Sequence, residues 1–148
     1  QFLLGGSRMT EQRVADFHLL GRNIVYDYTE PLDVNRMRKA AEYLCGTHDF
    51  KSFCGNKKMK KSTVRTISRI QIKELPGEIQ IYYTGNGFLQ NMVRILTGTL
   101  IEIGDGRRTP EDVSEILEAK NRERAGYTAP ACGLTLLEVI YGKMVCNK

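Results

Sequence analysis

The apolar positions alternate in some stretches and recur at helical spacing in others. Ile24, Tyr26 and Tyr28 alternate, which predicts a strand over 23–29 that Pro31 ends. Val34, Met37, Ala41 and Leu44 then recur at helical spacing, predicting a helix over 34–45 with one apolar stripe. Asp33 is its N-cap, Leu32 can staple onto Met37, and Gly46 stops it. Residues 64–73 have the β-branched content of a strand, with Arg65 and Arg69 on one side. Pro76-Gly77 makes a turn, and Ile79, Ile81 and Tyr83 alternate in a second strand, giving a hairpin. Gly85-Asn86-Gly87 reads as a tight strand-to-helix connection. Phe88, Leu89, Met92, Val93, Leu96 and Leu100 mark a helix over 88–103. Thr109-Pro110-Glu111 starts another, whose apolar face is Val113, Ile116 and Leu117. Leu134 to Tyr141 is a final strand.

This order, β-α-β-β-α-(α)-β, implies an α+β, ferredoxin-like (split βαβ) sheet with helices on one face and the other face open. RNA-binding proteins use such open sheets, as do many proteins that bind no RNA. At 148 residues the length suits one domain. Residues 18–148 are assigned to it, and 1–17 are left as an unassigned N-terminal extension or remnant. No run approaches the roughly 18 apolar residues of a membrane span, and the opening Gln1–Gly5 is too short in apolar residues for a secretory signal.

The net charge of +5 conceals a block. Lys51, Lys57, Lys58, Lys60, Lys61, Arg65, Arg69 and Lys73 lie in a stretch without an acid, so this block carries +8 and leaves −3 for the rest. Its centre, Gly55 to Ser62, lacks hydrophobic periodicity and reads as an exposed loop. Two readings stand: lysines that track a phosphate backbone, or a solvated loop that binds nothing. Cys45, Cys54, Cys132 and Cys146 form no CxxC pair and read as reduced thiols. Cys45, His48 and Cys54 lack a fourth zinc ligand nearby, so no metal is assigned. His48 beside Asp49 falls in a turn after the first helix, where a structural hydrogen bond is expected.

Between Glu78 and Glu102, the 23 residues carry a single charge, Arg94. Its neighbours one turn away are Gln90, Asn91, Thr97 and Gly98, a polar and almost uncharged face that suits a cleft or an interface. A guanidinium in a cleft is costly unless a carboxylate or phosphate meets it. The alternatives are a distant acid, another part of a larger protein, a bound phosphate, or an arginine that snorkels to solvent.

Four ordered blocks, Gly46-Thr47-His48-Asp49-Phe50-Lys51-Ser52-Phe53, Ser62-Thr63-Val64-Arg65-Thr66-Ile67, Gly85 to Arg94 and Ala129 to Leu136, closely resemble the TruA family of tRNA pseudouridine synthases. Pro31-Leu32-Asp33-Val34 fits the same family. The resemblance runs from about residue 18 to residue 141 and covers only the family's C-terminal half. It implies one of two related α/β lobes flanking a basic cleft, in cytoplasmic homodimers that isomerise uridine in the anticodon stem-loop of tRNA without a cofactor or metal.

The family's catalytic aspartate belongs to an Arg-Thr-Asp-Ala-Gly-Val-His motif of the other half, which this sequence lacks. The resemblance implies that Arg94 pairs with that aspartate and that the apolar Leu134 packs on the target base. Lys57, Lys58, Lys60, Lys61, Arg65 and Asn91 would face RNA. The chain alone is then expected to be inactive. The alternatives are a non-catalytic RNA-binding module of ferredoxin-like fold, and a dimerisation domain without RNA contact.

Overall fold

The computed structural model describes residues 28–75 and 78–136 with Tyr26, together with the strand backbones of Phe2–Leu4 and Met9–Glu11. In chain order the elements are β1 (Phe2–Leu4), β2 (Met9–Glu11), α1 (Val34–Leu44), β3 (Gly46–Asp49), β4 (Val64–Leu75), β5 (Glu78–Gly85), α2 (Met92–Gly104), α3 (Asp112–Ala119) and β6 (Leu134–Leu136). This is an α+β chain. An antiparallel β3-β4-β5 unit forms the main part of its sheet, and the short strands extend it in the order β2-β6-β1-β5-β4-β3.

Helix α1 forms as its stripe requires. The Asp33 carboxylate accepts from the Asn35 and Arg36 N–H groups at 3.0 and 3.2 Å, and Val34, Met37, Ala40, Ala41 and Leu44 are buried. Helix α2 is the centre of the core. Eleven of its thirteen residues are buried, all but Arg94 and Glu102. A helix apolar on every side belongs in the interior, and each fully buried Leu or Ile there contributes about 1.5–3 kcal/mol. Its threonines are satisfied locally: Thr97 Oγ1 donates to Val93 O at 2.7 Å and Thr99 Oγ1 to Ile95 O at 2.9 Å.

Several expectations are corrected. Residues 88–91 are not helical. Asn91 has φ 57°, in the left-handed region, and α2 starts only at Met92. Leu89 is buried in the preceding turn, so its apolar character mimicked a helical position. Helix α3 likewise begins at Asp112 rather than at Thr109; the Asp112 carboxylate accepts from the Thr109 N–H at 2.9 Å. His48 and Asp49 lie on strand β3, not in a turn, because Gly46 at φ 102° redirects the chain straight into pairing with β4. The expected hydrogen bond is present, between His48 Nε2 and the Cys45 carbonyl at 2.9 Å.

Arg65 and Arg69 do not share a face. The β4–β5 register shifts between Ile67 and Arg69, leaving Ser68 unpaired. A bulge of one residue reverses the alternation, so Arg65 shares the helix-side face with Ile67 while Arg69 points away with Gln71 and Lys73. Of the expected strand 23–29, Tyr26 makes an isolated bridge and 28–29 are irregular, while 23–25 and 27 lie outside the described residues. Pro76-Gly77 and residues 137–141 also lie outside them. Among the described cysteines, Cys45 and Cys54 are free thiols.

Candidate nucleic-acid interface

Arg94 sits in the first turn of α2, where the aligned peptide dipoles already place partial positive charge and where no acid stands. Its Nε donates to Ala129 O at 2.7 Å and its Nη1 to Asn91 Oδ1 at 3.1 Å. Its own carbonyl accepts from the Ala129 N–H at 3.0 Å. The guanidinium is therefore held in place by two partners, but both are neutral. Among the described residues no carboxylate lies within 4.0 Å of it, and its Nη2 has no hydrogen bond.

The polar face around Arg94 is only partly open. Gly98 is covered by the chain's own 126–129 segment, and Thr97 is buried against Tyr83 of β5, whose hydroxyl lies 3.2 Å from its Oγ1. A Cβ on Gly98 would come within 1.8 Å of Tyr127 O, so only glycine lets this backbone lie directly on the helix. Gly126 N–H donates to Thr99 Oγ1 at 2.9 Å and completes the clamp. The expectation of a cleft along the whole face is thus corrected: the opening is confined to the end carrying Gln90, Asn91 and Arg94. Residues 130–133 lead from the clamp to the half-buried Leu134, which opens β6 and pairs with Phe2 of β1 and Met9 of β2.

The lysine-rich loop is tied to this end. Gly55 N–H donates to Gln90 O at 2.8 Å, and a Cβ on Gly55 would come 2.9 Å from the Asn91 amide nitrogen. Asn91 thus contacts both Gly55 and Arg94. The loop itself folds around Met59, half-buried against the core with Cys54 Sγ 3.9 Å from its sulfur. Lys57, Lys58, Lys60 and Lys61 are exposed around a hollow of about 450 Å³ and make no ion pair among the described residues. Arg65 is half-buried; its Nη1 donates to the Ser62 and Val64 carbonyls at 2.8 and 2.7 Å, so it shapes the end of the loop.

The structure therefore gathers Arg94, Asn91 and the base of the lysine loop, places Leu134 at the start of β6 beside β1 and β2, and sets Arg69 on the other face. Sequence reasoning missed Ala129, whose backbone aims Arg94, and Gly55 and Gly98, whose missing side chains permit the close approaches. Their only signal was the punctuation of glycines beside polar residues. Among the described residues no group of three His, Cys, Asp or Glu side chains is placed to hold a metal ion, and no helix is long and apolar enough to cross a membrane.

A family model described as tRNA pseudouridine synthase matches residues 40–142. Curated relatives carry the same name. A tRNA pseudouridine synthase A 1 of Bacillus cereus is 52% identical over 120 residues, covering 81% of this chain and 49% of the relative. The tRNA pseudouridine synthase A of Brevibacillus brevis is 51% identical over 111 residues (75% and 46%), and a tRNA pseudouridine synthase A 2 of Clostridium tetani 48% over 125 (84% and 50%). The chain spans about half the length of these relatives. With Arg94, Asn91 and Leu134 all inside the matched region, the chain belongs to the tRNA pseudouridine synthase family, a family of isomerases.

Proposed function

We propose that this chain is the C-terminal, ferredoxin-like lobe, spanning residues 18–148, of an enzyme that isomerises uridine to pseudouridine in the anticodon stem-loop of tRNA. The observation that carries the reading is Arg94: an oriented guanidinium in the first turn of a buried helix, with no carboxylate within reach among the described residues. The partner that fits is the catalytic aspartate of an N-terminal lobe. Arg–carboxylate pairing is strong and directional. A cation at that distance also lowers a carboxylate's pKa, keeping the aspartate ionised for attack on the target nucleotide.

The remaining parts follow from the chemistry. The target base leaves its stack at a cost of a few kcal/mol, and Leu134 offers it an apolar surface. The C1′–N1 glycosidic bond breaks, the uracil turns, and C1′ bonds to C5, whose proton is lost to solvent while N1 takes one up. Asn91 and the lysines at 57, 58, 60 and 61 hold phosphates, with Arg65 shaping the loop that carries them; such contacts position RNA without reading its sequence. The reaction exchanges one bond for another on the same base, so it needs no cofactor or metal from this lobe. The complete enzyme works as a cytoplasmic homodimer.

The test is release of tritium from tRNA whose uridines are labelled at C5. This chain alone should release none, and the complete enzyme should release it catalytically. Arg94→Ala in the complete enzyme should lower kcat by about 10³-fold, the scale of losing one preorganised charged donor, with tRNA affinity nearly unchanged. Near-normal turnover in that variant would overturn the role given to Arg94.

A further inference from the structure

A second hollow, of about 200 Å³, lies beside the lysine loop, where the segment after α3 packs on the 51–57 segment. Four cations, Lys51, Lys57, Lys120 and Arg122, line it together with Cys54, Asn56 and Asn121, and no acid does. It is a built feature rather than a chance gathering of surface lysines. The buried Ser52 hydroxyl donates to Ile116 O at 2.6 Å and accepts from the Asn121 N–H at 2.9 Å, fastening the two segments to each other. Lys120 ends α3 at φ 47°, so the chain turns sharply there and carries residues 120–122 back toward 51–57.

Arg122 is the member that asks most clearly for a partner. It is half-buried, and its Nη1 and Nη2 donate to Gly126 O at 2.8 Å and Thr128 Oγ1 at 3.0 Å, both neutral. Among the described residues no carboxylate lies within 4.0 Å of it. Burial lowers its pKa from the usual guanidinium value, with the more distant Glu102 acting in the opposite sense. The only ion pair of the four, among the described residues, is Lys120 with Asp49, at 3.8 Å and with more than half of the lysine exposed. Glu118 and Glu123 are near in sequence but do not line the hollow. Four like charges around one small concavity repel one another unless an anion is present. Lys51, Asn56 and Lys57 also line the larger hollow of the lysine loop, whose one acid is Asp49, so the two concavities adjoin.

We infer that Lys51, Lys57, Lys120 and Arg122 form a backbone-phosphate site for RNA, which extends the lysine loop's contact onto the end of α3. The inference rests on the tRNA-binding reading above. The site takes a phosphodiester group and reads no base, because it offers cations and amides but no aromatic surface.

The experiment measures binding of this chain to a fluorescent RNA stem-loop across a salt series. Lys51→Gln/Lys120→Gln removes two exposed charges. It should weaken binding about tenfold at physiological salt and lower the salt slope by about 1.4, at about 0.7 per lost single-strand phosphate contact. Lys39→Gln, an exposed lysine already paired with Glu111 at 2.6 Å, should change neither. Arg122→Gln should add a further loss; because Arg122 also braces the 126–128 segment, the double lysine variant is the deciding one if that protein fails to fold.

Salt-dependent binding that falls with Lys58→Gln/Lys60→Gln/Lys61→Gln, yet is unchanged in the double variant, would overturn this site and leave the proposed function standing. Absence of salt-dependent binding in the unaltered chain would overturn both. Displacement of the stem-loop by inorganic phosphate at constant ionic strength, at concentrations where chloride has no effect, would show a small-anion site instead and overturn the RNA assignment.

Discussion

The two ends of helix α2 pose the same electrostatic problem and solve it differently. A cation near the N-terminus and acids near the C-terminus both oppose the helix dipole. At the C-terminal end the problem is solved inside the chain. Glu102 accepts from Arg108 Nε at 2.5 Å, and Asp105 accepts from Arg107 and from the Tyr28 hydroxyl at 2.7 and 2.8 Å. Arg36 donates to Ile103 O and Arg108 O, occupying a carbonyl that the helix leaves over and one in the turn that follows it. At the N-terminal end Arg94 finds only neutral partners among the described residues. The comparison separates arginines that hold the fold together from one that the fold holds in position for something else.

That separation can be broken by substitution. Arg108→Ala should cost about 2 kcal/mol of stability, since it leaves Glu102 only the longer pair with Arg107 at 3.9 Å and frees the Arg124 and Ala125 carbonyls. Arg94→Ala should cost under about 1 kcal/mol, the worth of an ordinary hydrogen bond. Urea unfolding of both variants checks this, and equal losses would erase the distinction. Neutralising Lys57, Lys58, Lys60 and Lys61 together should lower the salt slope of RNA binding by about 2.8, at about 0.7 for each contact with a single strand, while leaving urea unfolding unchanged. An unchanged slope would show the loop to be merely solvated.

The smallest effect concerns pH. Burial alone would raise the Asp105 carboxyl, but hydrogen bonds from Arg107 and Tyr28 outweigh it and hold the carboxyl below its usual value. Its stabilisation is therefore fully present above the ordinary aspartate pKa of about 3.9 and lost as pH falls through the lower folded value. Asp105→Asn should flatten that acid limb in thermal unfolding followed against pH. On the alkaline side, burial and then Asp105 push the Tyr28 phenol up to about 12. Its contribution is present below the ordinary tyrosine value of about 10 and fades as pH rises toward 12.

How far the sequence could be read depended on whether the determining force was local. Helix α1 was legible because its cap and stripe lie within a dozen residues, and Arg94 stood out because 22 uncharged residues surround it. The late start of α2 was not legible, since Leu89 is buried in a turn and as apolar as any helix position. The bulge at Ser68 left no mark either, because it is set by pairing with β5, and it moved Arg69 to the other face. The clustering of Lys120 and Arg122 with Lys51 depends on contacts spanning more than sixty residues, such as Ser52 to Ile116. No pattern within one segment encodes that.

The backbone clamp between Arg94 and Ala129 has a consequence for how the site can be watched. The Ala129 amide hydrogen is bonded to the very residue whose aim it sets, so its exchange with solvent deuterium is a clock for the loss of that aim. If the 126–133 segment opens as a unit while the sheet stays closed, this amide exchanges faster than those of β4 and β5. Slowing of Ala129 exchange on adding RNA would then register the assembly of the site from within the protein, with no chemical turnover needed.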